Sequence, residues 1–189
     1  SPPAVRIQGG ESGHFRPWWD CGGVFNGAFG SSLKPNCERP KACRSRTDRH
    51  PRNVFLADKL QRIVEDFAVL DDPQERLATL VSRAKKRPPL DPAEKTDAHR
   101  VRGCVSVVWI VGEERDGCCF FRSEAESPLV GALVAFLCDF YSGASTAEVA
   151  DSELDPLDAL DLTRNLSPTR RNGLSSARAT LRAFAQSRR

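Results

Sequence analysis

Cys104 stands directly after Gly103 at the opening of the apolar run VSVVWIV, residues 105–111. A cysteine reacts through its thiolate, which is a nucleophile at sulfur, and neighbouring positive charge favours that form. Arg100 and Arg102 flank the position. Gly103 gives the backbone freedom for a tight turn. The pattern points to a thiol held on a loop at the edge of a packed core. The competing reading is a small buried hydrophobe, the common fate of a lone cysteine. His99 is near in sequence and reads as a solvated linker histidine.

The elements around this thiol can be read from periodicity. Leu56, Leu60, Ile63, Val64, Phe67 and Leu70 recur at helical spacing. Asp71-Asp72 ends that helix, and Asp72, Pro73 and Glu75 announce a capping box for a second one. Pro88-Pro89 stops the pair, and residues 88–99 read as extended linker. A strand is expected over residues 101–111. Apolar residues alternate onto both of its faces, which predicts a central strand covered on each side. Asp116-Gly117 signals a tight hairpin turn, and CCFFRSEAES, residues 118–127, is the return strand. Ser127 with Pro128 opens a third helix, closed by Gly143. Ser145 and Glu148 form a second capping box, Asp155-Pro156 breaks the chain, and Ser167-Pro168 opens a final helix. Helices and strands are segregated, so the fold class is α+β: a small antiparallel sheet covered by helices in a single domain.

Composition narrows the function classes. The 189 residues carry a net charge of +3, too little for nucleic-acid binding without a local basic cluster. The excess sits at one end: residues 1–52 hold nine Lys+Arg against four Asp+Glu. That segment has seven Gly, six Pro and no hydrophobic period. It reads as a disordered basic stretch and a candidate transit peptide, with a domain over residues 53–189. Methionine is absent even at position 1, which suggests a fragment or partial translation. No stretch is long and apolar enough for a transmembrane helix. Seven cysteines without a secretory signal suggest free thiols in a reducing compartment. Cys21, Cys37, Cys43 and His50 lack a C-x-x-C pair, so no metal site is expected. Cys138 reads as core, and RAKKR, residues 83–87, as a solvated basic helix end.

RVRGCVSVVWI resembles the active-cysteine motif of the SufE family of sulfur acceptors, through Val101, Gly103, Cys104, Ser106, Val108 and Trp109. Three further segments resemble that family in order. They are DDPQERLATLVSRAKKRPPL, SEAESPLVGALVAF, and LSPTRRNGL with Leu166, Pro168, Arg170, Gly173 and Leu174. The resemblance covers roughly residues 53–186. It implies a SufE-like fold, which also resembles the iron–sulfur scaffold fold.

The resemblance implies that Cys104 accepts the terminal sulfur of a persulfide on a cysteine desulfurase, stimulates that enzyme, and passes sulfur to an iron–sulfur scaffold complex. Arg170 matches the motif arginine near the cysteine loop. Gly103, Ser106, Glu124 and Glu126 match positions expected at the partner surface. The two glutamates stand where the family often has aspartates. Gly131-Ala132-Leu133 lacks an arginine the family commonly carries there. The chain is then a carrier and activator rather than an enzyme. It needs no cofactor or metal of its own, since the pyridoxal phosphate belongs to a SufS-like desulfurase. No nucleic acid or membrane is expected as partner, and a homodimer is compatible with the reading. A transit peptide would place it in the plastid stroma; otherwise it is cytoplasmic or mitochondrial. The rival reading is a thiol redox enzyme or sensor pairing Cys104 with Cys118 or Cys119. A third is an interaction domain in which Cys104 merely packs.

Overall fold

The apolar run 129–141 becomes the most buried helix among the described residues, α3 (Pro128–Tyr141), in a computed structural model that describes residues 54–189. From Ala132 to Tyr141 every α3 residue is buried, as expected of a helix that is hydrophobic all round. The expectations for residues 1–53, including Cys21, Cys37, Cys43 and His50, lie outside the described residues.

Among the described residues two α-helices precede the sheet, α1 (Val54–Phe67) and α2 (Pro73–Ala84). Leu56, Ile63 and Phe67 of α1 and Leu80 of α2 are buried. Lys59 is buried as well, because its ammonium donates to the carbonyls of Asp139 (2.7 Å) and Ser142 (2.8 Å). A cation there meets the partial negative charge of the α3 C-terminus. Asp72 caps α2 by accepting from the Gln74 N–H, without the reciprocal Glu75 bond that the sequence suggested.

Among the described residues the sheet has two strands, β1 (Val108–Arg115) and β2 (Cys118–Ala125), paired antiparallel. Asp116 and Gly117 make the hairpin turn with φ of 53° and 78°. Both values are positive, which matches the right-handed twist of the flanking strands. The small antiparallel sheet with helical cover is the α+β architecture read from the sequence. β1 is not central, however, and it begins at Val108 rather than Val101. The apolar run is folded back on itself: Val101 N–H donates to Val108 (2.9 Å) and Ile110 N–H to His99 (2.8 Å). Residues 99–101 thus lie antiparallel to the start of β1, and Arg100 bridges Trp109. The hydrophobic pattern fits one strand or two short arms equally, and the glycine decides for the turn.

The stretch 88–99 is not plain linker. Asp91 and Glu94 form a capping box around a short 3₁₀ turn, Pro92–Glu94. Ser127 stands at the N-cap of α3 without a side-chain bond to the helix. Gly143 follows α3 with φ 85°. Then come α4 (Thr146–Asp151), with its Ser145/Glu148 capping box, and α5 (Pro156–Ala159). Asp155-Pro156 therefore opens a helix where a break was expected: Asp155 caps it through the Leu157 N–H. The last helix, α6 (Pro168–Gln186), is capped by Ser167 and buries Gly173, Leu174, Ala177, Leu181 and Ala185. Among the described residues no helix is long and apolar enough to cross a membrane.

Candidate thiol site on the loop before β1

Cys104 sits at the tip of the loop 102–107, and both arms of that loop are clamped. The 99–101 arm is bonded to β1 as described, and Glu126 N–H donates to the Val107 carbonyl (3.1 Å). Gly103 has φ +81°, a conformation costly for any residue with a Cβ. Cys104 is half-buried and free. Val105 beside it is 81% exposed. Ser106 is half-buried.

Helix α6 forms the floor. A Cβ placed on Gly173 would lie 2.6 Å from the Cys104 sulfur, and one placed on Gly103 would lie 3.1 Å from Ser176 Oγ. The loop therefore rests on small residues spaced one turn apart. Arg170 lies a turn before Gly173, exposed, in the first turn of α6. Arg100 and Arg102 line an open cleft of about 480 Å³ that continues from the loop along α6 past Ser176, Thr180 and Ala183. The thiol is thus half-buried; Arg100 and Arg102 stand on the arm just before it, and Arg170 one turn along α6 from Gly173.

A polar clamp fixes the chain ahead of the loop. Lys95 Nζ lies 2.6 Å from Glu124, which also accepts the Leu90 N–H (2.8 Å). Glu94 and Arg122 pair through two bonds of 2.9 and 2.5 Å. The Arg122 bond holds the Glu94 carboxyl below its ordinary range, and the Lys95 bond does the same for Glu124. His99 is not a free linker histidine: its Nδ1 lies 2.7 Å from the Glu94 carbonyl. Glu124, expected at a partner surface, has its carboxylate directed to the fold. Glu126 is exposed. Asp91-Pro92-x-Glu94 was a sequence signal for the short turn that carries Glu94 and Lys95, and not for their partners on β2. The signal for the α6 floor was a glycine inside an otherwise good helix.

The cysteine pair proposed for redox chemistry is not assembled. Cys118 and Cys119 face Arg115 and Glu114 at the turn end of the hairpin. Val108, where the Cys104 loop joins, is at the other end, about 20 Å away at ~3.4 Å per residue. A disulfide needs Cα atoms within about 7 Å. Burial pushes Cys119 up to about 11 and Cys138 up to about 12. The expectation of free thiols fails at Cys118, which is disulfide-bonded. Among the described residues no group of His, Cys, Asp and Glu is arranged to hold a metal ion.

Comparison with known proteins finds the following likenesses. The SufE family, described as an Fe-S metabolism associated domain, matches residues 61–185. An uncharacterized SufE-like protein of Rhizobium meliloti is 31% identical over 134 residues, covering 68% of this chain and 96% of its own. A second, from Synechocystis, is 34% identical over 121 residues, covering 64% of this chain and 76% of its own. The SufE-like protein 1, chloroplastic/mitochondrial, of Arabidopsis thaliana is 35% identical, covering 63% of this chain and 32% of its own. The solution structure of a hypothetical protein from Thermus thermophilus superposes with a TM-score of 0.57 at 24% identity, covering 68% of this chain and 94% of that one. That likeness bears on the fold.

Proposed function

The chain belongs to the SufE family, and from that premise we propose that it is a sulfur carrier whose Cys104 accepts persulfide sulfur from a cysteine desulfurase. The observation that carries the reading is the site itself: a free, half-buried thiol at the tip of a clamped loop, beside an exposed apolar residue. The family's association with Fe–S metabolism supports an iron–sulfur scaffold complex as the destination of the sulfur.

The transfer is thiol exchange. The Cys104 thiolate attacks the outer sulfur of the desulfurase persulfide, a new S–S bond forms, and the old one breaks with the desulfurase cysteine leaving as thiolate. Cys104 then carries a persulfide anion, and no electrons are gained or lost overall. Repeating the exchange on an acceptor thiol of the scaffold returns Cys104 to its starting form. Arg170, with Arg100 and Arg102, supplies positive charge for the anionic thiolate and persulfide. Val105 gives the loop tip an apolar contact for the desulfurase, and Gly103, Ser106 and Glu126 lie around it. The chain turns over nothing alone: it carries sulfur and stimulates its partner by removing the persulfide. It uses no cofactor of its own, and pyridoxal phosphate stays with the SufS-like desulfurase. The name of the Arabidopsis relative supports an organellar setting, which for this chain we place in the plastid stroma.

The test is mass spectrometry of the full chain after incubation with a cysteine desulfurase and cysteine. One added sulfur atom on Cys104, absent from Cys104→Ser, is expected. An active desulfurase that leaves Cys104 unmodified would overturn the proposal.

A further inference from the structure

We infer that Gly173 is a positioning residue for the acceptor thiol: its missing Cβ is the seat into which the Cys104 sulfur closes. The inference rests on the sulfur-carrier reading for its purpose, while its geometry stands without it.

Gly173 is the sixth residue of the 19-residue helix α6. Glycine inside a helix is unfavourable by about 1 kcal/mol relative to alanine, because it loses more backbone entropy on folding. No special backbone angle asks for it: among the described residues the positive-φ glycines are Gly103, Gly117 and Gly143. What asks for it is space. A Cβ at Gly173 would stand 2.6 Å from the Cys104 sulfur, but 3.5 Å from its Cβ and 3.6 Å from its Cα. Non-bonded heavy atoms rest at roughly 3.5–4.0 Å. The conflict therefore involves the sulfur alone, and the rest of Cys104 would tolerate an alanine.

A side chain at 173 pushes the sulfur off the helix. The loop is clamped at both arms by the bonds to His99, Val108 and Glu126, so displacement is confined to its tip and moves the thiol towards solvent. Gly173 thus keeps the resting thiol half-buried against α6. Shelter limits oxidation of a nucleophilic sulfur between transfers.

Two measurements on the full chain test this. The first is the rate at which Cys104 is alkylated by iodoacetamide with no desulfurase present. Gly173→Ala is expected to raise it by about tenfold, as local opening becomes the resting state. A rate within twofold of the parent would overturn the inference. The second is the melting temperature in two backgrounds. In Cys104→Ala, where the conflicting atom is gone, Gly173→Ala is expected to raise Tm. In the parent it is expected to lower Tm or leave it unchanged. Equal increases in both backgrounds would also overturn it. Neither measurement uses the desulfurase, so failure of Cys104 to take up sulfur would count against the carrier reading and leave the seat standing.

Discussion

Lys95 reaches across from the chain ahead of the thiol loop to within 2.6 Å of the Glu124 carboxylate on β2. The same carboxylate accepts the Leu90 N–H at 2.8 Å. One acidic side chain therefore ties residues 90–95 to the sheet, and the strand arm 99–101 follows directly. Glu124→Gln keeps an acceptor for Leu90 and loses the charge; Glu124→Ala loses both. Urea denaturation is expected to show about 1 kcal/mol lost in the alanine variant, typical of a charge-assisted bond that is partly solvated. The glutamine variant should lose less than half of that. Equal losses would show that the Leu90 bond contributes nothing.

The two carboxylates of the clamp also set an acid limit. Arg122 holds Glu94, and Lys95 holds Glu124, below the ordinary carboxylate range. Folding therefore favours their ionised forms. The stabilisation is fully present above the unfolded value near ~4.3 and is lost as pH falls through the lowered folded values. The double variant Glu94→Gln, Glu124→Gln should be less stable than the parent at neutral pH, and the gap should close in acid. A gap that stays constant down to about pH 3 would contradict this origin.

Thiol reactivity should follow burial. With Cys119 up at about 11 and Cys138 at about 12, their thiolate fractions at about pH 8 are roughly a thousandth and a ten-thousandth. Peptide mapping after brief alkylation of the native chain should find Cys104 modified well before either. Labelling of Cys138 at a comparable rate would mean that α3 opens readily.

Gly103→Ala should destabilise the chain by roughly 1–2 kcal/mol, the cost of a left-handed backbone for a residue with a Cβ. Its φ is +81°, and the new Cβ would lie 3.1 Å from Ser176 Oγ. Gly103→Asn should be milder in backbone terms, since asparagine visits that region. If thermal melts rank asparagine no better than alanine, the Ser176 contact rather than φ sets the cost.

Arg170 is exposed and its described bond is its backbone N–H to Ser167. Arg170→Ala should leave stability within about 0.5 kcal/mol. It should slow sulfur loading of Cys104 by about tenfold if the guanidinium steadies the anionic sulfur, at the low end of a charge-assisted bond. Loading at the parent rate would assign Arg170 to the surface alone.

Much of this protein follows from its sequence. Helical periodicity, the caps at Ser145 and Ser167, and the Asp116-Gly117 turn are local physics, governed by atoms within a few residues. The order of four motifs likewise placed Cys104 in its family. The strand boundary did not follow, because an apolar run satisfies a strand or a folded-back pair of arms equally. Which is realised depends on bonds from His99 and Glu126 to residues that a local window does not weigh. Cys118 and Cys119 are as visible in sequence as Cys104, yet the register of the hairpin puts them at its far end. Glu124 was read from the family motif, but its bonds to Lys95 and Leu90 join residues about thirty positions apart and have no local signal. Above all, the sequence determined that a thiol follows Gly103, while only the packing of α6 decided where its sulfur rests. That contact joins residues 104 and 173, and it exists because one helix lacks a single carbon atom there.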